Sequence, residues 1–153
     1  MPRTAPVTAN THATCFEVTA AAYARLAPEA ASAARARTHV TTALCGWGLE
    51  QVVDDAALVA SELVTNAVQH TASDKIKLGV VLSTERRARI EVWDQSRSRP
   101  VRRAAGPQED GGRGLAVIAR MSERWGTDMH PTGKCVWAVL RPPANIAPPP
   151  PPP

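Results

Sequence analysis

The chain has 153 residues, 44% of them apolar, and carries 18 Lys and Arg against 14 Asp and Glu, for a net charge of +4. That length gives one domain with a real core and is too short for two comfortable ones. The basic balance is too modest to argue for nucleic acid by itself.

Residues 1–12 are polar and rich in Pro and Thr, and read as a disordered lead-in; Met1 to Thr14 has no apolar stretch that would make a secretory leader. Thr14–Ala20 reads as a short strand of alternating character. Pro28 suits the first turn of a helix, and the Ala-rich run Glu29–Leu44 reads as that helix, ended by Gly46-Trp47-Gly48. Residues 50–70 form a second helix. Lys75–Leu82 and Arg87–Trp93 alternate or run apolar with β-branched residues on either side of Ser83-Thr84-Glu85-Arg86, and so predict a hairpin. A long segment from Gln95 to Gly112, full of Ser, Arg, Pro and Gly, follows; loops of that length are often functional lids. Leu115–Met121 predicts a short helix. Arg124–Met129 and Lys134–Leu140 predict two closing strands around the turn His130-Pro131-Thr132-Gly133. The chain ends in a Pro-rich tail over 142–153, for which an unstructured tail is expected rather than a ligand for an aromatic groove.

This places the folded part at residues 13–141. Hairpin-linked strands with clustered helices predict the α+β class: a two-layer sandwich with a mostly antiparallel sheet and helices on one face. Phe and Tyr occur once each, so the core must be built mainly from Ala, Val and Leu. The odd set Cys15, Cys45 and Cys135 has no C-x-x-C pair and suggests neither a zinc site nor a disulfide framework. Buried thiols in a reducing cytosol are expected, with Cys45 and Cys135 as small hydrophobes. No apolar run reaches the roughly 18 residues of a membrane span, so the chain is expected to be cytoplasmic.

Three local features carry chemistry. On the second helix, Glu62 and Asn66 are four residues apart and lie one above the other. With Asp55 and Gln69 they form a narrow polar arc opposite the broad apolar one of Val53, Ala56, Ala57, Val59, Ala60, Leu63, Val64, Ala67 and Val68. A carboxylate/carboxamide stripe suits a Mg²⁺–phosphate group, since magnesium takes oxygen ligands and few of them come from protein. A solvated face of an amphipathic helix has the same composition. Asp94 follows the apolar Ile90-Glu91-Val92-Trp93; a strand-end carboxylate can accept hydrogen bonds from the amino group of a planar base, or simply form a turn. Gly111-Gly112-Arg113-Gly114-Leu115 opens a helix. Glycines let backbone approach a ligand, the helix N-terminus presents N–H groups to an anion, and Arg113 adds a charge suited to phosphate.

Two common phosphate loops are excluded. A Rossmann turn needs a third glycine and a strand directly before it, whereas a long polar loop precedes Gly112 here. A Walker A loop would need glycine at 128 and Ser or Thr at 135, which are Asp128 and Cys135.

In this order and spacing the three features resemble the GHKL, or Bergerat-fold, ATPase superfamily of gyrase, chaperone, histidine-kinase and mismatch-repair ATPases, over roughly residues 30–141. Glu62-Leu-Val-Thr-Asn66-Ala-Val-Gln-His70 is similar to its N box. Asp94-Gln-Ser-Arg-Ser98 lies where its first glycine box begins, and Gly112-Arg113-Gly114-Leu115 resembles its second. The small size, the Gly-Arg-Gly-Leu form, and the closing Arg124-Trp125-Gly126 and Gly133-Lys-Cys-Val-Trp137 most resemble the anti-sigma-factor serine/threonine kinases.

The resemblance implies ATP and Mg as ligands, with Asn66 as the metal ligand and Asp94 on the adenine amine. It further implies Gly112, Arg113, Gly114 and Leu115 in the lid over the phosphates, and Glu62 as the general base for a serine or threonine hydroxyl. It implies a sigma factor and an anti-sigma-factor antagonist as partners and a homodimer as the common assembly, with no direct nucleic acid and no membrane. Ser96 and Ser98 stand where the first box carries glycines, and their Cβ atoms hinder close approach to a nucleotide. Lys134 and Cys135 stand where threonines are common, which removes a hydroxyl that could touch phosphate. These departures support a second reading: a regulatory module that sequesters a partner and has a degenerate nucleotide pocket.

The remaining conspicuous residues have plainer expectations. His70 is a helix-end residue. Arg97, Arg99, Arg102 and Arg103 belong to a solvated loop. Trp93, Trp125 and Trp137 serve the core or an interface.

Overall fold

Residues 16–70, 74–96 and 113–143 are described by the structure, a computed structural model; of Arg113 only the backbone is described. Among these residues five strands and three α-helices follow in the order β1 (Val18–Leu26), α1 (Ser32–Gly46), α2 (Val53–His70), β2 (Ile76–Ser83), β3 (Ala88–Asp94), α3 (Arg113–Met121), β4 (Ser122–His130) and β5 (Gly133–Leu140), with a 3₁₀ turn over Glu50–Val52 leading into α2. The strands form one sheet in the order β1-β2-β3-β5-β4, and every neighbouring pair is antiparallel. The α+β sandwich expected from the hairpin pattern is therefore the fold.

Strand alternation builds one face of the sheet into the core, because successive side chains point to opposite sides. The register aligns Ala22, Val80, Ile90, Ala138 and Trp125 in one row, and Ala24, Leu78, Val92, Val136 and Thr127 in the next. Leu78, Val80, Ile90 and Ala138 are fully buried. Onto this face α2 lays Ala56, Val59, Ala60, Leu63, Val64 and Ala67, the centre of the broad apolar arc read from its periodicity, with Val53, Ala57 and Val68 half-buried at its edges. Helix α1 contributes Ala36, Val40 and Leu44, and α3 contributes Leu115 and Ile118. The small residues on β1 and α1 allow the two to approach closely, and His39 Nε2 lies 3.2 Å from the carbonyl oxygen of Ala22.

Among the described residues the opposite face carries a polar-aromatic ladder and no helix. Lys77 Nζ lies 5.1 Å from the Tyr23 ring and 5.0 Å from the Trp93 ring, and Trp93 stacks at 4.9 Å on His130. Arg89 pairs with Glu91 at 2.9 Å and lies 4.7 Å from the Trp137 ring. Cys135 is buried beneath this layer. Its thiol pKa is pushed well up, first by burial and then by the Glu91 charge, with Arg89 opposing.

Several expectations shift. The first strand lies at Val18–Leu26 rather than Thr14–Ala20, because pairing with β2 runs from Val18 opposite Ser83 to Leu26 opposite Ile76. Helix α1 begins at Ser32, not in the turn after Pro28, since Ser32 Oγ turns back to donate to the Ala27 carbonyl at 2.6 Å. Cys45 is exposed and not a buried hydrophobe; its neighbour Leu44 takes the inward direction. The anticipated disorder of residues 1–12, the segment 97–112 with its four arginines and Ser98, the tail beyond Pro143, and Cys15 lie outside the described residues. Among those that are described, no helix is long and apolar enough to cross a membrane.

The core predicts its own test. Ile90 is fully buried at the centre of the sheet under α2, so Ile90→Ala is expected to lower unfolding free energy by about 2–5 kcal/mol, read from the midpoint of a urea titration.

Candidate functional site

The polar arc on α2 divides when the helix is set on the sheet. Asp55 and Gln69 are exposed, whereas Glu62 and Asn66 are half-buried. What covers them is the first turn of α3. A Cβ built on Gly114 would fall 2.8 Å from Glu62 Oε2 and 3.2 Å from Asn66 Oδ1. The backbone of Gly114 thus passes directly over the carboxylate/carboxamide pair, where the next larger residue would press into both. Leu115, one position on, is 2% exposed and anchors α3 in the core against α2. The helix N-terminus is therefore held where its unpaired N–H groups can face an anion. The apolar contact behind it keeps it there.

Asp94 ends β3, the strand α2 packs against. It is buried, and its two carboxylate oxygens have different partners. Oδ1 accepts the Ser96 backbone N–H at 2.7 Å, and Oδ2 faces Lys134 Nζ at 3.5 Å. Lys134 lies directly opposite Asp94 in the β3–β5 register. Both side chains are almost fully enclosed, at 1% exposure for Asp94 and 6% for Lys134. Removing one member of such a buried pair strands the other charge and costs about 3–5 kcal/mol. Before Lys134, Gly133 takes φ 154° and runs against the chain leaving β3. A Cβ there would be driven into the Asp94 carbonyl oxygen and would lie 2.8 Å from Gln95 Cα. The glycine is required by that approach of two backbones.

Of the residues read from the sequence, the structure brings Glu62, Asn66, Gly114 and Leu115 together and sets Asp94 at the end of the neighbouring strand. Gly112 and the Arg113 side chain lie outside the described residues. Ser96, the first of the two glycine-box departures, donates its backbone N–H to Asp94, a contact independent of its side chain. Lys134 was read as the loss of a hydroxyl near phosphate; its ammonium instead pairs with Asp94. That contact is hidden in the sequence by 39 intervening residues and appears once β3 and β5 are paired in register. Trp93 and Trp137 are half-buried on the polar-aromatic face, and Trp125 packs against the core. His70 is the exposed last residue of α2, as expected of a helix end.

The chemistry of this donor set fits a magnesium–nucleotide group. Asn66 supplies one neutral oxygen, and Glu62 a carboxylate within the same turn. The glycine-opened helix offers N–H groups to phosphate, and Gly114 leaves the space a cradle of that kind needs.

Comparisons with known proteins bear on the fold and the family. The family described as histidine kinase-like ATPase domain matches residues 24–140. The chain is also similar to a crystal structure of the RsbU and RsbW domains of Rv1364c from Mycobacterium tuberculosis. The TM-score is 0.62 at 19% identity, covering 80% of this chain and 32% of that one, so this chain spans about a third of that protein's length. A histidine kinase domain from the blue-light activated histidine kinase of Erythrobacter litoralis EL346 is similar at TM-score 0.45 and 22% identity, covering 60% of this chain and 45% of that one. No curated protein matches the sequence.

The two glycines predict opposite outcomes. Gly114→Ala meets only the far ends of two side chains and gains helix propensity, so its stability is expected to stay within about 1 kcal/mol of wild type while Glu62 and Asn66 are displaced. Gly133→Ala meets backbone on both sides and is expected to cost about 2 kcal/mol or more. Parallel urea titrations of the two variants check the contrast.

Proposed function

The chain belongs to the histidine kinase-like ATPase domain family, and from that premise we propose that it binds Mg-ATP between α2, the N-terminus of α3 and the β3–β5 strand ends, and acts as a serine/threonine protein kinase of the anti-sigma-factor type. The observation that carries this is the Gly114 backbone lying against Glu62 and Asn66. On this reading it brings the base Glu62 and the metal ligand Asn66 beside a helix terminus suited to an anion.

Phosphoryl transfer needs charge neutralisation and in-line positioning more than covalent chemistry. In this reading Asn66 holds Mg²⁺, which when bound offsets the charge of the phosphates and orients them. The amides at 112–114, with Arg113, close over the phosphates, and Leu115 fixes the helix that carries them. Asp94 accepts the adenine amine. Glu62 takes the proton of an attacking serine or threonine hydroxyl, whose oxygen bonds to the γ-phosphorus as the β–γ bridging bond breaks and ADP leaves. The acceptor is an antagonist protein, and the same chain holds a sigma factor inactive in the cytoplasm. A homodimer is the proposed assembly. The Gly-Arg-Gly-Leu motif and the fold likeness to the structure containing an RsbW domain support this choice within the family.

A second reading is favoured by one observation. Both oxygens of Asp94 are already engaged within the chain, by Ser96 and by Lys134. A pocket so occupied could serve a module that sequesters a partner without turning over nucleotide.

Thermal unfolding separates the two, since a ligand of the folded state raises the melting temperature. The kinase reading predicts a rise with millimolar Mg-ATP. Asn66→Ala is expected to lose the magnesium-dependent part of that rise. Glu62→Ala is expected to keep it while phosphotransfer to the antagonist falls by about 10²-fold or more. No shift with Mg-ATP gives the sequestering reading instead.

A further inference from the structure

We propose that Lys134 is a specificity-determining residue of the nucleotide pocket, pairing with Asp94 as a donor beside an acceptor so that the two together read the ring nitrogen N1 and the 6-amino group of adenine. The inference rests on the ATP reading above and adds a residue to it.

Asp94 alone selects only for a hydrogen-bond donor, because a carboxylate accepts and never donates when ionised. Lys134 changes what is demanded of the ligand. Its ammonium carries three donors and no acceptor, and lies 3.5 Å from Asp94 Oδ2 with a side chain 6% exposed. That separation is longer than the roughly 2.7–2.9 Å of a tight charge-assisted hydrogen bond. The pair is enclosed but not locked together.

The lysine is held beside the carboxylate by the backbone on either side of it. Its position is set opposite Asp94 by the β3–β5 register, and Gly133 presses the preceding backbone against the Asp94 carbonyl. On the other side of the carboxylate, Oδ1 is held by the Ser96 N–H. An incoming amine therefore competes for Oδ2, the oxygen that balances the lysine. A ligand offering only an amine would leave the buried ammonium short of a partner, which a low-dielectric site penalises. A ligand that offers an amine to Asp94 and, one ring atom away, an unprotonated nitrogen to Lys134 satisfies both. Adenine carries those groups side by side as its 6-amino group and N1.

The test removes one atom from each side of the contact. Titration calorimetry measures Mg-ATP and the magnesium complex of 1-deaza-ATP, in which N1 is replaced by C–H and the 6-amino group is kept, against wild type, Lys134→Met and Lys134→Gln. Urea titrations report the folding of each variant. Wild type is expected to prefer ATP over the deaza analogue by about tenfold or more, as befits a hydrogen bond to a charged group. Lys134→Met is expected to reduce that preference to within about threefold. Lys134→Gln, which keeps a neutral donor and remains informative if the methionine variant does not fold, is expected to fall between.

Equal binding of the two nucleotides by wild type overturns the proposal, as does either folded variant keeping the wild-type preference. Those results leave the ATP reading standing, because ATP still binds. Failure of all three proteins to bind ATP overturns that reading and this one together.

Discussion

The arrangement depends on how closely α3 passes over α2. That approach is set from below by the buried contacts of Leu115 and Ile118 with the apolar arc of α2, and from above by the absence of a side chain at Gly114. The two conditions act together. The apolar residues pull the helices together as any core does, and a Cβ at Gly114 would push the ends of Glu62 and Asn66 out of their present places. The polar pair is left half-buried, close enough to a helix terminus to share an anion with it and still reachable from outside.

The second constraint is at the strand ends. Asp94 and Lys134 form an enclosed ion pair at the point where β3 ends and β5 begins. Such pairs rarely add stability over a well-packed apolar pair, and their retention asks for another reason. On the proposed reading the reason is recognition: a carboxylate and an ammonium side by side present an acceptor and a donor to a planar base. The sheet's opposite face uses its charges differently. There Lys77 and Arg89 lie over aromatic rings at the surface, where cation–π contacts of about 0.5–1 kcal/mol are usual.

How legible this was depended on the range of each interaction. The α2 arc was readable because a helix maps spacing directly onto faces: six of its nine residues are buried, and Val53, Ala57 and Val68 are half-buried. The β2–β3 hairpin was readable for the same local reason. β1 was misplaced because Ala20, Ala21, Ala22 and Ala24 carry little strand preference of their own; their state comes from pairing with β2, more than fifty residues away. The start of α1 depended on a single back-bond from Ser32. Cys45 was assigned to the interior from its residue type alone, whereas the i, i+4, i+8 spacing of Ala36, Val40 and Leu44 puts the buried face on a different side of the helix. At the candidate site, the residue types at 62, 66 and 94 were visible in the sequence. The passage of Gly114 over the first two, and the pairing of Lys134 with the third, were tertiary facts with no local signature.

One measurement tests most directly whether these groups form a single nucleotide site: titration of the ¹⁵N-labelled protein with a non-hydrolysable Mg-ATP analogue, followed by amide chemical shifts. The account predicts that amides of 62–66, 94–96, 114–115 and 133–134 move together along one saturable curve. Shifts that saturate at the Tyr23, Trp93 and His130 face with those amides unmoved, or amides of the two groups following separate affinities, would contradict it.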